Sequence, residues 1–148
     1  MALKAQIQDD MKTALKAGEK NRLSVIRMLL AAVQTQEIEK RADLSDTEVL
    51  QVVEKLIKQS KDAATQYADA GRQDRADQEL GEAEILQAYL PKQLSEAELE
   101  QLVSDVIAET GAAGMKEMGK VMAEMRNRAQ GKADMSVLSA LVKAKLAG

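Results

Sequence analysis

The sequence predicts an all-α fold: an N-terminal four-helix bundle-like domain over residues 1–90, a linker at 91–94, and a small C-terminal three-helix domain over 95–148. Three observations carry that reading. Aromatic side chains make up 1% of the chain and proline occurs once, whereas Ala, Leu, Glu, Lys, Gln and Met, all strong helix formers, abound. Apolar residues recur at three- and four-residue spacing, and no stretch alternates as a strand would. Glycines and Ser-x-x-Glu boxes then punctuate these runs at the ends where a helix needs its orphan backbone groups satisfied.

Leu3, Ile7, Met11 and Leu15 write the apolar stripe of a first helix over 2–17, which Gly18 ends. Asn21 caps a second, running to Lys40, with Leu23, Ile26, Leu29, Leu30, Val33 and Ile38 as a broad apolar face. Ser45 and Glu48 form a capping box for a third, in which Val49, Val53, Leu56, Ile57, Ala64 and Tyr67 face inward until Gly71 stops it. A fourth spans Arg72 to Leu90 and is polar until Ile85, Leu86, Tyr89 and Leu90. Pro91 restrains Leu90 from helical geometry and sets the boundary. Ser95 and Glu98 open a fifth helix, marked by Leu99, Leu102, Val103, Val106 and Ile107 and closed by Gly111. Met115, Met118, Val121, Met122, Met125 and Ala129 give a sixth, ended by Gly131; Asp134 or Ser136 caps a seventh with Leu138, Leu141, Val142 and Leu146 inward.

Residue types that are missing bound the chemistry. The chain has no Cys and no His. Disulfides are therefore impossible, and structural zinc, haem and iron–sulfur ligation, along with the commonest general base, are removed. No cofactor and no metal site is expected. The N-terminal segment has no apolar core of a secretory signal, and no apolar run reaches membrane-spanning length, so a cytoplasmic protein with no membrane partner is expected.

Charge is unevenly placed. The net charge is −3 overall, yet residues 115–148 hold seven basic side chains against three acidic, while residues 92–114 hold one against five. The last two helices thus form a local basic unit on an acidic protein. Lys116, Lys120, Arg126, Arg128, Lys132 and Lys143 are the candidate phosphate contacts, able to neutralise a backbone without reading sequence. The competing reading is a solvated charged face. With no Trp or Phe to stack on single-stranded bases, recognition by these cations would be of duplex or tertiary shape.

Other constellations read more plainly. Gly114-x4-Gly119-Lys120 matches part of a phosphate-binding P-loop, but Val121 stands where a metal-binding hydroxyl belongs and the Met spacing runs helically through it. The Met stripe between 115 and 135 reads as core rather than an adaptable groove. Arg22 and Arg27 are placed to pair with Glu79, Glu82 or Glu84, and the acids from Asp69 to Glu84 read as a solvated face.

Tyr67-Ala68-Asp69-Ala70-Gly71-Arg72, then Glu79-x-x-Glu82, then Ile85-Leu86-Gln87-Ala88-Tyr89-Leu90-Pro91-Lys92-Gln93-Leu94-Ser95 closely resemble the YqeY-like family. Arg22-x4-Arg27, Met118-Gly119-x-Val121-Met122 and Asp134 extend the resemblance over essentially the whole chain. It implies a helical bundle followed by a three-helix domain shared with the tail of the B subunit of the glutamine-dependent Asp/Glu-tRNA amidotransferase, a tail that helps hold tRNA. The implied role is an accessory protein that binds tRNA or a tRNA-handling complex, with Lys116, Gly119 and Lys120 in the binding segment. Gly119 would permit close approach of helices or of an RNA backbone. The chain lacks a glutaminase nucleophile and base, an ATP-phosphate site and a metal site, so a stand-alone carbon–nitrogen ligase is not expected and no catalytic residue is assigned. The alternative is a protein-interaction or self-association module working through the broad face of the second helix, without RNA.

Overall fold

The computed structural model describes residues 2–129 and 131–147. Among them lie seven α-helices and no strand: α1 (Ala2–Ala17), α2 (Lys20–Lys40), α3 (Asp46–Asp69), α4 (Gln73–Gln87), α5 (Glu96–Thr110), α6 (Met118–Ala129) and α7 (Met135–Ala147), with a 3-10 turn at Met115–Glu117 before α6. The chain divides into two compact units, residues 1–90 and 91–148.

In the first unit, α1 and α3 end on glycines in the left-handed region. At Gly71 the paired bonds Gly71 N–H to Ala68 O, 3.0 Å, and Arg72 N–H to Tyr67 O, 2.7 Å, fold the chain straight back into α4. The same pair of bonds at Gly18 and Glu19 turns α1 into α2. That reversal corrects the assignment of Asn21 as a cap. Glu19 already stands at the N-cap, and Leu23 N–H bonds to its carbonyl at 2.9 Å, so Asn21 lies inside the helix. The core joins Ile7, Val25, Ile26, Leu29, Val33, Leu44, Val49, Val53, Ile57, Ala83 and Leu86. Each large aliphatic side chain removed from water there contributes about 1.5–3 kcal/mol. Leu15 and Ile38, expected inward, are 57% and 70% exposed: Ile38 falls about 180° around α2 from the buried Leu29, and Leu15 about 80° around α1 from the buried Ile7. Small buried residues, Ser60, Ala64, Ala76 and Ala83, line the α3–α4 interface, which is the most extensive in the unit.

Helix α4 stops at Gln87, short of Leu90. Tyr89 N–H to Leu86 O and Leu90 N–H to Gln87 O tighten the exit into 3-10-type turns before Pro91. Tyr89 donates its hydroxyl proton to Asp10 of α1 at 2.6 Å. Burial, and then the Asp10 carboxylate that accepts this bond, push the phenol above its ordinary pKa.

The second unit packs Leu99, Val103 and Val106 of α5 against Val121, Met122, Met125 and Ala129 of α6 and Leu138 and Val142 of α7. Met122 and Met125 are thus core, whereas Met115 is exposed; the side chain of Met135 lies outside the described residues. Residues assigned to a linker are fastened down: Leu94 N–H bonds to Lys132 O at 2.8 Å, and the Gln93 amide donates to Gly131 O. Asp134, not Ser136, caps α7, its carboxylate accepting from Ser136 N–H at 2.7 Å. The 3-10 turn replaces the unbroken start predicted for the sixth helix, with Gly114 extended before it.

Candidate nucleic-acid interface

The basic segment is built on the 3-10 turn, α6, the turn after it, and α7. Lys116 sits on the 3-10 turn, Gly119 and Lys120 in the first turn of α6, Arg126 and Arg128 in its last, Lys132 in the following turn and Lys143 on α7. Lys116, Gly119, Lys120, Arg126 and Lys143 are exposed; Arg128 and Lys132 are half-buried.

Successive helical residues advance by about 100° around the axis. Val121, Met122, Met125 and Ala129 face the core, which fixes the flanks. Lys120 and Arg128 lean toward α5: Lys120 Nζ donates to Thr110 O at 3.3 Å, and Arg128 bridges Glu109 of α5 and Glu124 of α6, the latter at 2.8 Å. Arg126 falls on the opposite flank, about 160° from Arg128 around the axis. The array read from the sequence as continuous is therefore split. Arg128 is the one member withdrawn from it, since two carboxylates neutralise it and hold its guanidinium above the ordinary pKa, Glu109 contributing most.

The acids of this segment are occupied. Glu117 accepts from Ala113 N–H at 3.1 Å, Glu124 pairs with Arg128, and Asp134 caps α7. None of Lys116, Lys120, Arg126, Lys132 and Lys143 forms an ion pair among the described residues. Such an arrangement repels cations and attracts anions within a Debye length, about 8 Å at physiological salt.

The P-loop match does not fold as one. Gly119 and Lys120 are helical, no strand precedes Gly114 among the described residues, and a Cβ on Gly119 would meet nothing within 4 Å, so this glycine answers no packing need. Arg22 and Arg27 form no ion pair with Glu79, Glu82 or Glu84. Instead a cleft of about 290 Å³ separates α2 from α4, lined in part by Asn21, Gly81 and Glu82, and there burial and then the neighbouring Glu79 raise the Glu82 carboxyl. Among the described residues no group of three or more acids is placed to hold a metal, and no helix is long and apolar enough to cross a membrane. The Arg128 pairing had a partial signal in the sequence, the i, i+4 spacing of Glu124 and Arg128; the Glu109 bridge across helices had none.

A family profile described as Yqey-like protein matches residues 4–146. Relatives include three fungal proteins named "Altered inheritance of mitochondria protein 41, mitochondrial". The one from Pyrenophora tritici-repentis is 25% identical over 135 residues, 84% of this chain and 71% of that protein. The one from Kluyveromyces lactis is 33% identical over 86 residues, 57% of this chain and 46% of that protein. The one from Vanderwaltozyma polyspora is 26% identical over 120 residues, 76% of this chain and 64% of that protein. The mitochondrial names of these relatives overturn the expectation of a cytoplasmic location. That expectation rested on the lack of a secretory leader and of a membrane-length apolar run, and neither property distinguishes the cytosol from the interior of an organelle.

Proposed function

This chain belongs to the Yqey-like protein family, and from that premise we propose that it is an accessory protein that binds tRNA, free or within a tRNA-handling complex, through the basic surface of its second unit. The observation that supports this reading best is the set of five cations, Lys116, Lys120, Arg126, Lys132 and Lys143, which form no ion pair among the described residues while the acids of the same segment bond to backbone amides or to Arg128. These five contact phosphates, and Gly119 leaves open surface beside them where an RNA backbone can approach. Arg128 instead holds α5 against α6 and positions the surface. The two compact units are, in this reading, two domains, a four-helix bundle-like one and a three-helix tail. No chemical step is assigned to the chain.

Binding of purified protein to total tRNA at two salt concentrations, with duplex DNA of similar charge as competitor, tests the reading. Saturable binding that prefers tRNA and weakens with salt is expected. Equal affinity for the DNA, or none at low salt, contradicts it.

A further inference from the structure

The other face of the same unit has the opposite character. Helix α5 carries five acids and no base in its 15 residues, and among the described residues only Glu109 of the five forms an ion pair. Along its outer side runs a groove of about 550 Å³ with Leu94, Ala97 and Leu102 as an apolar floor, Glu98 and Asp105 on the α5 wall, and Lys132 and Arg128 opposite, the latter already neutralised by Glu109 and Glu124. Phosphate is repelled by that α5 wall, so the groove meets the proposed RNA surface only at Lys132. We propose that it docks an amphipathic, basic helix of a protein partner.

The spacing specifies the helix. Glu98 and Asp105 are seven residues apart on one helix, two turns, or about 10.5 Å. A partner helix lying alongside presents residues i and i+7 at the same separation on one edge. Lys or Arg at those two positions meets Glu98 and Asp105, while apolar residues at i+4 and i+8, on the side of that edge, cover Leu94, Ala97 and Leu102. Neither wall acid forms an ion pair among the described residues: Glu98 bonds within its capping box and Asp105 accepts from the Gln101 amide at 2.9 Å. Lys132, which forms no ion pair among the described residues, donates to a carboxylate on the opposite edge of the incoming helix and so sets which way round it lies.

A fluorescent synthetic peptide of about four helical turns, with Arg at i and i+7, Leu at i+4 and i+8 and Glu on the far edge, is titrated into the full chain. A second peptide has Glu in place of both Arg. The expected result is saturable binding of the first, amide shifts on residues 94–105, and binding at least about tenfold weaker for the second peptide. The double variant Ala97→Arg, Asp105→Lys alters two exposed side chains, so its fold is retained by circular dichroism, and it too binds the first peptide at least about tenfold more weakly. Transfer RNA, added in excess, competes only at Lys132 and so weakens the peptide by less than about tenfold without displacing it. No saturation at millimolar peptide in low salt, equal binding of the two peptides, unchanged binding by the variant, or shifts confined to α6 and α7 each overturns the proposal; displacement by tRNA overturns its separateness from the RNA surface. Failure of the peptide with tRNA binding intact leaves the tRNA reading standing, and the converse holds.

Discussion

Arg41 is the only residue other than glycine with positive φ among the described residues, at +60°, and it closes α2 in the position where α5 uses Gly111. A side chain there brings Cβ against the carbonyl, a strain of about 1–2 kcal/mol, against which glycine's greater freedom in the unfolded chain counts. Arg41→Gly is therefore expected to raise stability by about 0.5 kcal/mol in urea unfolding. Tyr89 gives a sharper case. Its hydroxyl bond to Asp10 joins residues 79 apart in sequence. Tyr89→Phe should lower the stability of the first unit by about 1 kcal/mol, with little effect on the second. A third prediction concerns acid. Glu48, hydrogen-bonded by Lys40 at 2.6 Å and by the Ser45 amide, has its carboxyl held down at about 2, below the ordinary 4.5. Its folded pKa lies below its unfolded one, so the stabilisation is complete above about pH 4.5 and is lost as pH falls toward 2. Thermal midpoints measured across that window should fall more steeply for the wild type than for Glu48→Gln.

At the scale of elements, what could be read from the sequence was local. Ser45 and Glu48, and Ser95 and Glu98, form complete capping boxes where their spacing places them, because both partners lie within one turn. Gly18, Gly71 and Gly111 end their helices for the same reason. Asn21 misled because the cap of α2 is decided by the reversal just before it, and Ile38 because its spacing from Leu29 puts it about 180° around the helix from the buried face. The basic residues of the candidate site were legible as a charge excess, but not their division between two flanks of α6, nor the capture of Arg128 by Glu109, which depends on how α5 lies against α6. Gly119 sits in α6 with open space where a Cβ would go. Gly119→Ala should therefore stabilise that helix by about 0.5–1 kcal/mol, read as a higher melting temperature of the second unit.

Over the whole molecule, the separate apolar clusters around Ile26 and around Val103 give each unit a core of its own. A fragment spanning 91–148 keeps its whole cluster, including Leu94 against the α6–α7 turn, and should show a helical spectrum and a cooperative melt by itself. Whether the exposed cations of this unit hold tRNA phosphates is decided by how tRNA affinity depends on salt. The logarithm of the binding constant is measured against the logarithm of salt concentration for the wild type and for the Lys116→Glu, Lys120→Glu, Arg126→Glu variant. Each phosphate that is no longer neutralised takes about 0.7–0.9 off the magnitude of that slope, so charge reversal at these three positions flattens it by about 2–3. That flattening, with the variant's helical spectrum unchanged, is the expected result; a folded variant whose slope and affinity match those of the wild type would show that these cations do not hold the RNA.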